Sequence, residues 1–278
     1  MDAGIQNGSA AEKEARLVAR LGALSSVVIA LSGGADSAYL AWAAQRALGR
    51  RALSVTAISP SFSAHDREQV ESLVRAAGLR HEFVETHELE NPLYSVNQRD
   101  RCYHCKDELF TVLGRLAAER GFTAVAYGIN ADDTGDFRPG HRAAAEHEVL
   151  SPLLDAGLTK AEIRSLSRQA GLLTWDRPAS ACLSSRIPYG SQVTTEKLAQ
   201  IEQGEAALRE MGFRQFRVRH HGELARIEIA AEELPHAFDA GVLQDMGRRL
   251  RAAGFLYVTL DVEGYRQGSL NAGLKVIG

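Results

Sequence analysis

The sequence predicts a doubly wound α/β domain with a mostly parallel sheet, followed by a smaller α+β domain. Three observations carry this expectation. Short apolar runs alternate with amphipathic segments up to Gly171, the rhythm of strands joined by crossover helices. A glycine turn, SGGADS (32–37), follows the first apolar run directly, where doubly wound folds bind ligands. After about residue 190 the pattern changes to a long helix, a hairpin and a closing strand.

In chain order, a helix is expected over 9–22. VVIAL (27–31) reads as a strand buried on both faces. A helix follows from Ser37 to Leu48, then a strand (52–59), a helix (65–77) and a strand (81–86). Residues 103–120 read as a helix and TAVAYG (123–128) as a strand. The helix over 159–171 has Thr159 as its cap and Gly171 as its stop. Beyond it come a helix (194–212), alternating strands (216–221 and 223–229) around a glycine turn, two helices (231–240 and 242–253) and a strand (255–264). The expected domains are 1–180 and 181–278, with 172–192 as linker and active-site loop. The site is expected where the first domain, that loop and the hairpin come together.

Composition narrows the class. The chain is 45% hydrophobic and 24% charged, ordinary values for a globular protein with a normal core. A net charge of −3 gives no general nucleic-acid footprint, so nucleic acid is not an expected partner. No apolar stretch is long enough to span a membrane, and the start of the chain has no apolar leader core. A cytoplasmic location is therefore expected, where three cysteines are better read as chemistry or core than as a disulfide framework.

Within SGGADS, Gly33 and Gly34 allow a tight turn and close approach to an anion. The helix start then offers unpaired N–H groups and the positive end of its dipole. Ser32 and Ser37 add hydroxyl donors. Asp36 is out of place in an anion pocket unless it serves a magnesium ion or caps the helix. The lysine of a Walker A loop is missing.

In RCYHCK (101–106), Cys102 and Cys105 share one side of a first helical turn, where thiols are biased toward thiolate. Cys182 lies in the loop ACLSSRIPYG (181–190). Zinc with His104, a [4Fe–4S] cluster on three thiolates, redox use of the CxxC pair with Cys182 as sulfur donor, and three unrelated buried thiols all remain open. Arg217 and Arg219 alternate on one strand and share a face, which suits a phosphate, or else a solvated face with Glu228 as salt-bridge partner. Ser185 and Arg186 follow Cys182 closely and are candidate substrate contacts. Asp133, Asp136 and Arg138 are candidates for the ATP or substrate side. Glu205 and Glu228 are a possible metal pair, though carboxylates of this kind are usually solvated. His220 and His221, beside a turn, read as exposed.

SGGADS resembles the SGGxDS signature of the PP-loop ATP pyrophosphatases, whose HUP-like fold is also that of the adenine nucleotide alpha hydrolases. The resemblance implies that Ser32, Gly33, Gly34, Asp36 and Ser37 hold ATP phosphates and Mg2+, with Asp36 and Ser37 catalytic. It places adenine near Ile58 and Gly128. RCYHCK, NADDTGDFRPG (130–140), PASACLSSRIPYG (178–190) and FRVRHHGELARIEI (216–229) extend the likeness over most of the chain. They resemble the LarE-type sulfur transferases of nickel-pincer nucleotide synthesis. Those enzymes adenylate a carboxylate of a pyridinium mononucleotide and convert it to a thiocarboxylate, and relatives assemble as homo-oligomers, often hexamers. The resemblance implies that Cys102, Cys105 and Cys182 are ligands of a [4Fe–4S] cluster, with Cys182 catalytic, and that Ser185, Arg186, Arg217, Arg219 and Glu228 are substrate contacts. A sacrificial Cys182 is the alternative sulfur source. A tRNA thiolation enzyme, an amide-forming synthetase and a nucleotide-binding module without turnover are the competing readings.

Overall fold

In a computed structural model of the chain, residues 8–135, 139–177 and 181–266 are described. They divide into two compact units. The first comprises residues up to Ser59, Asp66–Glu88 and Asp100–Ser180; the second comprises Pro60–His65, Leu89–Arg99 and Ala181 onward. The linear division at 180/181 does not contain the two short excursions, 60–65 and 89–99, that belong to the second unit.

The strands of the first unit are β1 (Val27–Ala30), β2 (Ala52–Ile58), β3 (His81–Glu85) and β4 (Val125–Tyr127). They form one sheet in the order β3-β2-β1-β4, with every pairing parallel. Parallel neighbours need crossovers, and helices supply them on the sheet faces. The helices of this part of the chain are α1 (Ala10–Gly22), α2 (Ala35–Leu48), α3 (Ala64–Ala77), α4 (Pro92–Ser95), α5 (Arg101–Glu119), α6 (Pro139–Glu146), α7 (Pro152–Asp155) and α8 (Lys160–Gln169). Val27, Val28 and Ile29 are wholly buried, as the apolar run predicts. Phe110 and Leu113 of α5 pack with Val28, Leu53 and Val55 of the sheet. Thr159 caps α8 in a reciprocal capping box with Glu162, worth about 1 kcal/mol. Glu162 also accepts two hydrogen bonds from the buried Lys13 ammonium, which ties α8 to α1.

The second unit holds a three-stranded sheet of β5 (Phe216–His221), β6 (Leu224–Ile229) and β7 (Tyr257–Leu260), ordered β5-β6-β7. The β5–β6 hairpin is antiparallel and β7 joins β6 in parallel. Its helices are α9 (Thr195–Glu210), α10 (Leu234–Ala237) and α11 (Ala240–Ala252). Phe213, Phe216, Val218, Ile227, Ile229, Met246 and Leu250 form its core. Gly204 of α9 is a close-approach position, since a Cβ there would lie 2.7 Å from Leu250 and 3.4 Å from Val218. No described helix is long and apolar enough to cross a membrane.

Candidate active site

The SGGADS turn leaves the C-terminal end of β1 and enters α2. Gly33 takes φ +78°, a conformation that glycine adopts without steric cost. A Cβ at Gly33 would also strike Val70 at 2.7 Å. Gly34 is the helix N-cap and contributes no side-chain cap. Ser37 Oγ lies 3.1 Å from Ser32 Oγ, donates to the Gly34 carbonyl and accepts from the Ser32 amide, which folds the turn onto itself.

Asp36 does not cap α2. One carboxylate oxygen accepts from Asn130 Nδ2 at 2.9 Å, and Oδ1 is buried with no hydrogen-bond partner. Burial pushes the Asp36 carboxyl above its ordinary range, against the opposing pull of Asn130 and Lys160, while Asp133 adds to the rise. An orphaned carboxylate oxygen with a second carboxylate, Asp133, close by fits a hard cation such as magnesium. Asp133 also accepts from the Asn130 amide.

Several contacts of this turn were not legible in the sequence. Arg177 donates to the Gly33 carbonyl at 2.9 Å and pairs with Asp66 at 2.7 Å. Arg164 donates to the Arg177 carbonyl, and its Nε is buried without a partner. Lys160 and Arg164 both act electrostatically on Asp36, and neither forms an ion pair with a described residue. Gly128, just past β4, presses on the start of α2: a Cβ there would lie 2.7 Å from the Ser37 nitrogen. Ile58 ends β2, and its carbonyl accepts from the Thr86 amide. Asp136 and Arg138 lie outside the described residues.

Cys102 is exposed and Cys105 half-buried on the first turn of α5; Cys182, in the second unit, is exposed, and none of the three forms a disulfide. His104 turns back toward Asp100 at 3.5 Å. Tyr103 donates to Glu146 of α6, and the Arg142 guanidinium lies over its ring. Among the described residues, no three His, Cys, Asp or Glu side chains are gathered to hold a metal ion.

Cys182 is the N-cap of a short 3-10 turn, Leu183–Arg186. Arg186 holds that loop. Its Nη1 reaches the carbonyls of Ala181 and Cys182 and the Ser185 hydroxyl, while its Nε and Nη2 grip both oxygens of Glu205 at 2.8 and 2.9 Å. Arg219 binds the Ser185 carbonyl and pairs with Glu228 at 2.7 Å. Arg226 also reaches Glu228. The second unit's excursions brace the same loop: Asn97, at φ +58°, donates to the carbonyls of Ile187, Pro188 and Ser191, and Tyr94 meets Ser184 at 2.7 Å.

Two expectations need correction here. Glu205 and Glu228 are buried in arginine pairs and are not solvated carboxylates. His220 is buried, with Nε2 2.9 Å from Gln200, and only His221 is exposed. Helix α9 supplies both Glu205 and Gln200; by alternation His220 falls on the Phe216 and Val218 face that packs in the core, and Gln200 meets it there. Arg217 and Arg219 share the opposite face of β5, as expected. Burial and the neighbouring Arg186 hold the Arg217 guanidinium below its ordinary value.

A family model described as NAD synthase matches residues 14–114, which contain the SGGADS turn. The pyridinium-3,5-bisthiocarboxylic acid mononucleotide synthase of Lactiplantibacillus plantarum is 36% identical over 94% of this chain and 94% of its own length. The chain belongs to the LarE-type PP-loop family. An uncharacterized protein of Synechocystis is 43% identical over 90% of the chain and 93% of its own length. A second uncharacterized protein, from Methanocaldococcus jannaschii, is 29% identical over 61% of the chain. As a LarE-type PP-loop protein the chain is an ATP-using sulfurtransferase.

Proposed function

We propose that the chain uses ATP to adenylate a carboxylate of a pyridinium biscarboxylate mononucleotide and replaces it with a thiocarboxylate, in nickel-pincer nucleotide biosynthesis. The observation that carries this reading is the near-full-length likeness to the bisthiocarboxylic acid mononucleotide synthase. A carboxylate is a poor electrophile at carbon. Its oxygen attacks the α-phosphorus of ATP, the bond from that phosphorus to the bridging oxygen breaks, and pyrophosphate leaves. A sulfide or thiolate sulfur then attacks the acyl carbon, and AMP departs with the carboxyl oxygen.

The first unit's residues suit the first half. Backbone N–H groups at the start of α2 and the hydroxyls of Ser32 and Ser37 would bind the phosphates. Lys160 and Arg164 would take up charge on the departing pyrophosphate. Asp36 Oδ1, with Asp133, would hold magnesium, which neutralises phosphate charge when bound. The second unit's residues suit the mononucleotide and the sulfur. Arg217 and Arg219 would bind its phosphate, with Ser185 and Glu228 beside them, and Arg186 fixes the backbone that presents Cys182.

Cys102, Cys105 and Cys182 would together hold a [4Fe–4S] cluster, whose open iron would carry the sulfur. Their donor chemistry fits, because all three are reduced thiols and none is sealed in the core. A second reading has Cys182 give up its own sulfur, favoured by its exposure and its clamped backbone. Iron and acid-labile sulfide in protein purified without oxygen distinguish the two. About four irons with matching sulfide, lost in Cys102→Ala, are expected. Stoichiometric zinc would make the thiols structural and overturn the sulfur route. No metal, with Cys182 losing one sulfur in mass after a single turnover, would select the sacrificial reading.

A further inference from the structure

The first unit has a second charged depression, at the edge of the sheet away from SGGADS. Residues Ser26, Arg50, Arg51, Arg80, Arg120, Gly121 and Phe122 line an open pocket of about 240 Å³. Topology makes the cluster. Ser26 precedes β1, Arg50 and Arg51 precede β2, Arg80 precedes β3, and 120–122 lead into β4. In a parallel sheet these points share one edge. SGGADS leaves the opposite edge; Ser32 is six residues on from Ser26, a span of up to about 20 Å at ~3.3 Å per residue.

Four guanidiniums face this depression. Their one acidic ion-pair partner among the described residues is Glu82, on Arg120, which leaves three positive charges uncompensated. Structural duties account for only part of them. Arg51 Nη1 caps the carbonyls of Leu24 and Ser25, just past α1. Arg80 Nη1 caps the Arg50 carbonyl, and its guanidinium is steadied over the Phe122 ring at 5.7 Å. Those bonds use one nitrogen of each fork. The Arg50 side chain has no hydrogen bond or ion pair to a described residue. Arginine stays charged at any ordinary pH, so the group repels itself until an anion arrives. Planar forks with unused donors match phosphate oxygens two at a time. The volume is below that of drug-sized ligand pockets and suits a small anion.

We propose that this arginine pocket at the N-terminal edge of the parallel sheet is a second anion site, taking inorganic phosphate or diphosphate. It is separate from the nucleotide site and does not depend on the sulfur-transfer reading. The test is calorimetric titration of the full chain with inorganic phosphate and, separately, inorganic pyrophosphate. Ionic strength is held fixed, and the SGGADS site is filled beforehand with a non-hydrolysable ATP analogue and magnesium. The comparison is Arg50→Gln combined with Arg120→Gln; both side chains are exposed, and neither caps a backbone carbonyl. The wild-type chain should show a saturable site that weakens at least tenfold in the double variant, while both proteins bind the ATP analogue alike. Pyrophosphate binding at least tenfold tighter than phosphate would assign the site to diphosphate, and equal binding to a single phosphate. Identical isotherms in the two proteins, or no saturable anion binding once the nucleotide site is full, would overturn the proposal.

Discussion

At the SGGADS turn, Asp36 keeps one buried oxygen unpartnered, and the nearby Lys160 and Arg164 have no described acid to pair with. Around the Cys182 loop, buried charge is treated the other way. Both oxygens of Glu205 are taken by Arg186, and Glu228 lies between Arg219 and Arg226. The first arrangement is unstable by itself and would be relieved by ligands that bring both a cation and phosphates. The second is a frame closed at both carboxylates, and it holds a loop still. An enzyme needs both: charge left open where reactants arrive, and charge closed where a reacting group must be aimed.

Removing one partner from the closed frame should have the largest effect on stability. Glu205→Leu leaves Arg186 buried and uncompensated and removes an acceptor from the Val218 amide, so urea unfolding should show a loss of about 3–5 kcal/mol. A loss under about 1 kcal/mol would mean that the frame is not closed. The next largest effect concerns shape. Gly128→Ala puts a methyl against the Ser37 backbone and should cost about 1–3 kcal/mol while weakening ATP binding, read by the same unfolding curve and by nucleotide titration. The smallest effect has the opposite sign. Asp36→Asn removes a charge that burial disfavours, so it should stabilise the fold by about 1 kcal/mol while ending pyrophosphate release. Because the folded carboxyl is raised, its ionisation destabilises the fold above that raised value. The penalty fades as pH falls toward the ordinary carboxylate range, so the variant's advantage should be present at neutral pH and shrink in acid.

Much of the first unit was legible in its sequence because its signals are local. A buried-type apolar run, a threonine cap answered by Glu162 and the glycines of SGGADS each declare their own structure. The long-range contacts were not legible. Nothing about Arg177 or Asn130 announces that one binds the Gly33 carbonyl and the other Asp36, since those partners are 144 and 94 residues away. The excursions at 60–65 and 89–99 carry no composition shift, yet Asn97 and Tyr94 brace the cysteine loop. The β5 face misled for a physical reason. The His220–His221 pair beside a turn reads as exposed, but alternation puts His220 on the Phe216 and Val218 face, where Gln200 of α9 meets it, while Glu205 of α9 is taken by Arg186 of the cysteine loop.

The central claim is that SGGADS activates a carboxylate and Cys182 serves the later sulfur step. The most direct measurement follows isotope exchange between pyrophosphate and ATP, together with thiocarboxylate formed by mass, using the pyridinium biscarboxylate mononucleotide in wild-type and Cys182→Ala protein. The account predicts substrate-dependent exchange in both proteins and thiocarboxylate only in the wild type. Thiocarboxylate formed by Cys182→Ala, or exchange absent from the wild type, would contradict it.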